Sequence, residues 1–328
     1  MSLRDVQVNM RLAILCSGQA GQHRGMLDEL LAAPECEPVR QAASAALGRD
    51  VAEWWSELDE QEIFLNANAQ FAIAYYQIAT WTRIARLLPE ISLVAGYSLG
   101  ELIAYFVAGA LDAAETFKLV RARARLMDAA AAGNSTGGGC MALWRGRVSP
   151  ATLAARDRAI AAYGLDVAIK RRTGEEVLAG PVDAIARFVA DLQAANPNLV
   201  RLPVTIPAHT HYLAAAADSF RDILRASSIA PPRMTVLRAV DAVPVRSRDQ
   251  AIDALSRQIA TTIRWDRCMD ALTEFGIDTV IELGPGNDLA RLVEAEHPQI
   301  AARAVDDFGD YRALADWLGY SNWHSIQQ

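Results

Sequence analysis

Apolar positions along the chain change period several times, and each change marks an element. Leu12, Ala13, Ile14, Leu15 and Cys16 form an unbroken apolar run of strand length, the pattern of a strand buried on both faces. A loop containing Gly18 and Gly21 follows it. From there to about residue 88 apolar residues recur at helical spacing, most clearly over residues 68–86. Residues 91–95 are a second buried run. Gly96-Tyr97-Ser98-Leu99-Gly100 joins that run to a helical pattern over 101–108. Leu111-Asp112 reads as a turn, and residues 113–132 as a long alanine-rich helix.

The glycine-rich stretch 133–139 reads as a loop, and the pattern differs beyond it. Residues 140–144 read as a strand, 150–163 as a helix, 165–170 and 176–179 as strands, 183–194 as a helix and 199–204 as a strand. The order is β-α-β-β-α-β, the ferredoxin-like arrangement. After Pro207 the larger alternation resumes. Helices are predicted over 212–224, 251–261 and 265–275, and strands over 235–239 and 279–283. The last strand ends at Gly284-Pro285-Gly286. The predicted fold is α/β: a large, α/β-hydrolase-like domain with a mostly parallel sheet and an inserted small domain. The large domain takes residues 1–133 and 205–328, and the ferredoxin-like insert takes 134–204.

Composition narrows the function classes. Of 328 residues, 52% are hydrophobic and 22% charged, the balance of a well-packed globular chain. A formal net charge of −7 argues against a general nucleic-acid binder. Cys16, Cys36, Cys140 and Cys268 are scattered, with no C-x-x-C pair. They supply neither a zinc spacing nor a disulfide framework, so a reducing cytoplasm is expected. The five histidines include no H-E-x-x-H, and no metal site is expected. The apolar run at 12–16 is too short for a signal-peptide core, and no stretch approaches the roughly 20 apolar residues that span a bilayer.

The candidate chemistry starts at Ser98. G-x-S-x-G between a strand and a helix is the context of a nucleophile elbow. Ser98 then sits at a helix N-terminus, where backbone N–H groups favour developing negative charge. The bland alternative is a helix-capping serine. A serine nucleophile needs a base. His209 and His211 are two residues apart, and on an extended segment both point the same way, so spacing leaves both open. His297, beside a proline, and His324, in the tail, are weaker choices. Gly18 to Gln22 lacks the G-K-[ST] of a nucleotide-phosphate loop.

Five motifs in order resemble the malonyl-CoA:acyl-carrier-protein transacylase family, the acyltransferases of fatty-acid and polyketide synthesis. They are Gly18-Gln19-Ala20-Gly21-Gln22, Gly96 to Glu101, Leu119-Val120-Arg121-Ala122-Arg123 with Met127, Pro207-Ala208-His209, and Gly284-Pro285-Gly286. The resemblance implies a Ser98 acyl-enzyme, His209 as base, and an oxyanion hole from the N–H groups of Gln19 and Leu99. It also implies that Arg123 pairs with the free carboxylate of a malonyl group. Malonyl-CoA is then a substrate, no cofactor is held permanently, and the partner is an acyl-carrier protein.

Three departures from the family pattern matter. Tyr97 stands where the family has histidine. Arg264 stands before Trp265 where a glutamine orients the histidine through its main-chain carbonyl, a role that Arg264 is expected to keep. Lys170, Arg171 and Arg172 replace an asparagine-rich segment and suggest contacts with CoA or carrier phosphates; their bland reading is a solvated strand end. Gly96-Tyr97-Ser98, the Cys16 to Gln19 opening with Gln22-His23, and the tail Ala304 to Phe308, ending near Trp317-Leu318, look most like the epsilon subunit of malonate decarboxylase. That likeness implies priming of decarboxylase subunits through a carrier with a phosphoribosyl-dephospho-CoA arm. The alternative is the housekeeping transacylase of fatty-acid or polyketide synthesis. Two other classes stay open: an esterase or thioesterase using Asp241 or Asp278 with His297, and a silent carrier-binding subunit.

Overall fold

The unbroken apolar runs become the middle of a sheet. In the computed structural model, which describes residues 10–133, 138–146, 148–172 and 174–319, the strands in chain order are β1 (Leu12–Cys16), β2 (Ile91–Gly96), β3 (Gly139–Arg145), β4 (Asp166–Arg172), β5 (Glu175–Pro181), β6 (Val200–Leu202), β7 (Val236–Leu237), β8 (Pro244–Val245), β9 (Ile263–Arg264), β10 (Thr279–Glu282) and β11 (Ala301–Ala304). The first sheet has the order β11-β10-β1-β2-β7-β8. Its pairings are parallel except for β7 with β8. Every residue of β1 is buried, which is why it carries no polar alternation. Each Leu or Ile enclosed in this way contributes about 1.5–3 kcal/mol.

The helix Asn66–Ile84 packs against the helix Ala113–Gly133 beside this sheet. It is buried on nearly all sides, and that includes Asn66, Gln70 and Gln77. Polar groups enclosed in this way need partners, and they find them at the functional site.

The second sheet has the order β6-β3-β5-β4-β9. β3, β4, β5 and β6 pair antiparallel, whereas β9 joins β4 in parallel. The helices Pro150–Tyr163 and Val182–Leu192 lie between these strands in the chain. Trp144, Leu178, Ile185 and Phe188 build a separate apolar cluster there. The chain is thus a mixed α/β fold with two mixed sheets.

Several boundaries differ from the sequence expectation. The strands predicted at 199–204 and 235–239 shrink to Val200–Leu202 and Val236–Leu237. The helix predicted at 212–224 begins as a 3-10 turn, His211–Leu213, and continues as Ala214–Ala226. β8, β9 and β11 escape pattern reading. Two are only two residues long, and β11 alternates exposed and buried positions with alanine as its inward residue. The loop expected at 133–139 falls partly on residues 134–137, and His324 falls in the tail; both lie outside the described residues.

Candidate active site

The end of β2 and the start of the helix Leu99–Val107 leave only Tyr97 and Ser98 to make the turn. Ser98 has φ 58° and ψ −111°, a conformation outside the allowed wells for a side-chain-bearing residue. Such strain costs on the order of 1–3 kcal/mol and persists only where the surroundings hold it. Here Tyr97 N donates to Cys16 O (2.9 Å), and Gln258 Nε2 donates to Ser98 O (2.9 Å). Both flanking glycines are required by close approach. A Cβ on Gly96 would overlap the backbone of Gly100 and Glu101, and one on Gly100 would overlap the Cys16 carbonyl.

Ser98 Oγ lies 2.8 Å from His209 Nε2. His209 Nδ1–H donates to the Gln258 carbonyl, which leaves Nε2 as the acceptor of the Ser98 proton. The His209 N–H donates to Ile259 O (2.9 Å), so the backbone fixes the ring from both ends. The histidine-orienting residue is therefore Gln258 and not Arg264. Gln258 caps the helix Arg248–Arg257, where terminal carbonyls lack helical partners and are free to accept. Arg264 spends its guanidinium on Asp266 (2.7 Å) and its N–H on Ala239 O (2.7 Å).

His211 goes elsewhere, to Asp166 Oδ2 (2.7 Å), with an exposed ring. The expectation that the two histidines point the same way fails because His209 has φ 62°, which turns the chain between them. The acidic triad of an esterase is not assembled. Asp241 pairs with Arg238, Asp278 accepts from the Arg11 N–H, and His297 lies beside Thr273.

Arg123 is 1% exposed, on the face of its helix opposite the exposed Arg121 and Arg125. Its Nη1 donates to Gln70 Oε1 (2.7 Å). Its Nη2 reaches Gln258 Oε1 and Ser98 Oγ, each at 3.4 Å. Its Nε has no hydrogen-bond partner among the described residues. All its partners are neutral, so the positive charge is solvated only by amides and a hydroxyl. Burial pushes its pKa down to about 10, against the opposing pull of Glu101. Burial, then the charge of Arg123, push the His209 pKa down to about 3, opposed by the Gln258 carbonyl. His209 is thus a neutral base at ordinary pH. A buried cation whose one nearby carboxyl, Glu101, is itself pushed up to about 8 by burial is costly, and this one faces a cavity.

That cavity holds about 360 Å³. Ser98, His209 and Arg123 line one part of it, and Met141, Leu143, Ile169 and Val177 of the second sheet form an apolar wall. Gln19 is in the rim, its side chain donating to Asn66 Oδ1 (2.9 Å). Leu99 opens its helix, so its N–H has no partner within that helix. Glu282 is buried at the cavity edge. It accepts from Ser17 Oγ (2.7 Å) and Ala290 N (2.8 Å), and burial pushes it up to about 8.

Of the basic triplet, only Arg171 lines this cavity, and all three residues line a second one. Arg171 is paired with Glu175 (2.7 Å) and Asp288 and lies 5.8 Å from the Tyr97 ring. Arg172 pairs with Glu175 and Glu296, each at 3.0 Å.

Sequence reading missed Gln258, Gln70 and Glu282 at this site. Gln70 did leave a signal, as a polar residue among apolar ones in the 68–86 pattern. Glu282 left the same kind of signal, as a charged residue in the 279–283 strand pattern, whereas Gln258 left none.

Comparison with known proteins adds a family to this geometry. The model of the acyl transferase domain matches residues 14–309. The malonyl CoA-acyl carrier protein transacylase of Mycobacterium bovis is 30% identical over 308 residues, 93% of this chain and 99% of that protein. The Escherichia coli protein of the same name is 28% identical over 302 residues, 90% of this chain and 96% of the other. A malonyl-transacylase solved in complex with its type II polyketide-synthase acyl-carrier protein superposes with a TM-score of 0.84. It is 28% identical and covers 94% of this chain and 99% of that one.

Proposed function

Since the chain belongs to the acyl transferase family, among the malonyl-CoA:acyl-carrier-protein transacylases, and is an acyltransferase, we propose that it moves malonyl from malonyl-CoA through an acyl-enzyme on Ser98 to the thiol of an acyl-carrier protein. One observation carries this reading: the bonded Ser98–His209 pair has beside it a buried arginine that no carboxylate among the described residues hydrogen-bonds, the nearby Glu101 being pushed up to about 8 by burial and so largely protonated.

Ser98 Oγ attacks the thioester carbonyl as His209 Nε2 takes its proton. The oxyanion faces the N–H groups of Gln19 and Leu99. Collapse expels the CoA thiolate, which the His209 imidazolium protonates. The carrier thiol then gives its proton to His209, attacks the acyl-enzyme and releases Ser98, which recovers the proton. Gln258 stands in for the acid of a triad, because its carbonyl sets the tautomer of His209. Arg123 binds the malonyl carboxylate in bidentate fashion. Burial is the main cause of the depressed His209 pKa, and that carboxylate offsets the smaller part due to Arg123, so binding the correct acyl group strengthens the base. A 360 Å³ cavity with an apolar wall suits the thioester arm.

The carrier is taken to be that of fatty-acid or polyketide synthesis, the reading favoured by the relatives' names. The first expectation, priming of malonate decarboxylase, rested on Tyr97 together with the Cys16 to Gln19 opening and the tail Ala304 to Phe308, and the relatives' names do not support it. Tyr97 has a packing reason of its own, edge-on against Trp265 at 5.2 Å and beside Arg171. The phosphate contact suggested for Lys170, Arg171 and Arg172 is weakened by the ion pairs of the two arginines. The antiparallel order β6-β3-β5-β4 supports a ferredoxin-like reading of 134–204, with β9 of the larger unit added at its edge, and the parallel pairings with the Ser98 elbow support an α/β-hydrolase-like reading of 1–133 with 205–328. No helix among the described residues is long and apolar enough to cross a membrane. Four free buried cysteines fit a cytoplasmic setting.

The test is intact-mass measurement after mixing with malonyl-CoA. A malonyl adduct on Ser98 that a carrier thiol discharges is expected, with none on Ser98→Ala. Release of malonate at a rate indifferent to added thiol would mean an esterase, and no adduct would mean a silent subunit.

A further inference from the structure

A file of amides, half-buried at Gln19 and buried at Asn66 and Gln70, joins the oxyanion loop to the arginine. Gln19 Nε2 and Gln70 Nε2 both donate to Asn66 Oδ1, at 2.9 and 2.6 Å. Asn66 Nδ2 donates to Asp128 Oδ1 (2.9 Å) and to Ala124 O (3.3 Å). Gln70 Oε1 then accepts from Arg123 Nη1 (2.7 Å). Asn66 thus uses its two donors and both acceptor positions, the full capacity of an amide. It opens the helix Asn66–Ile84, and Asp128 sits near the end of the packed helix Ala113–Gly133, so rigid elements preset the meeting.

The ends of the file fix its sense. A carboxylate only accepts, and a guanidinium only donates. With Asp128 on one side, Asn66 must turn its NH2 that way and its oxygen toward Gln19 and Gln70. Gln70 must then turn its NH2 to Asn66, which leaves its oxygen for Arg123. Flipping either amide sets donor against donor or acceptor against acceptor. Asn66 is 3% exposed and Gln70 0%, so no solvent relieves such a clash.

We propose that Asn66 and Asp128 are positioning residues that fix the sense of this amide file and so hold the oxyanion loop at Gln19 and the clamp at Arg123 in one register. The proposal rests on the roles given above to Gln19 and Arg123. Neither residue touches substrate; each acts through the groups that do. Loss of the file lets Gln70 rotate and present its NH2 to Arg123, which moves the guanidinium off the carboxylate position.

The experiment measures how fast malonyl-CoA and acetyl-CoA each load Ser98, by mass, in the full chain. Asn66→Ala should lower the malonyl-to-acetyl ratio roughly tenfold, the size of one hydrogen bond to a charged group. Asp128→Asn keeps shape and removes the dictated sense, and should lower it about threefold. In an Arg123→Ala background neither change should move the ratio. Asp128 is half-buried, so its variant keeps the question answerable should Asn66→Ala fold poorly. An unchanged ratio in both variants, or the same drop without Arg123, overturns the proposal. A wild-type chain that loads neither thioester overturns the transacylase reading itself, and with it this one. A wild type that prefers malonyl, with variants that keep the preference, overturns only the positioning role.

Discussion

Two buried arginines face the same cavity, and their partners make them opposites. Arg123, from the helix beside the first sheet, is held by Gln70, Gln258 and Ser98, all neutral. Arg171, from the second sheet, is held by Glu175 and Asp288 and covers Tyr97. Their exposure is nearly the same, 1% and 6%, so burial alone does not separate a substrate-binding cation from a structural one. The charge balance of the partners does. An arginine whose charge is already matched ties elements together. One surrounded by amides pays the desolvation cost of its charge until an anion arrives.

The largest effect should follow from removing the unmatched charge. Arg123→Met is expected to cut kcat/KM for malonyl transfer by about 10³, near 4 kcal/mol, and to touch acetyl transfer far less. Its stability to urea should stay level or rise, because a buried unpaired cation is lost. The converse is expected at Arg171. Arg171→Met should lower stability by about 2 kcal/mol and leave the malonyl-to-acetyl preference alone. The loss falls short of a full broken pair because Glu175 also holds Arg172 and Arg145. Swapped outcomes, with Arg171 governing preference and Arg123 governing stability, would undo the comparison.

The pH profile sharpens it further. Nucleophile activation needs neutral His209, so activity falls as pH drops through the histidine's pKa. Burial is the larger cause of the depression of that pKa to about 3, and Arg123 adds to it. In Arg123→Met the acid limb of acetyl transfer should therefore move to higher pH. It should stop short of the ordinary histidine range, since burial persists. An acid limb that stays in place would mean that Arg123 and His209 are not electrostatically coupled. In the Arg171→Met protein the limb should not shift.

Such contrasts were only half legible in the chain. An unbroken apolar run gave away β1, and mostly apolar runs, interrupted by Ser92 in β2 and by Thr279 and Glu282 in β10, gave away the other two. Gly96 and Gly100 gave away the elbow because the turn tolerates no Cβ there. Resemblance supplied Ser98, His209 and Arg123. Gln258 was hidden because its work is done by a backbone carbonyl, which every residue has, and its position is set by where a helix ends. The fate of Arg171 was hidden for a related reason. Asp288 lies more than a hundred residues away, and the fold brings that region to β4 through the β4–β9 pairing and the helix Trp265–Glu274 that packs on β4. A basic triplet read from sequence shows its charges and not the acids that the fold sets against them.

The smallest expected effect tests that last point. Lys170 and Arg172 line a second cavity, together with Arg171, His297, Glu176, Asp266, Asp270 and Glu296. Arg172 is spent on Glu175 and Glu296. A phosphate approaching this surface would meet at least as many carboxylates as cations, and exposed charges are screened within about 8 Å at physiological salt. The double change Lys170→Ala with Arg172→Ala should therefore leave KM for malonyl-CoA within about twofold, since surface charges of this kind are worth at most ~1 kcal/mol. A true phosphate contact would behave otherwise: KM would rise about tenfold at low ionic strength, the difference would shrink as salt is added, and kcat would be untouched. Measuring KM at two salt concentrations separates the cases. A salt-dependent rise would mean that the second sheet carries a binding surface after all, and that charge balance around Arg172 does not predict its use.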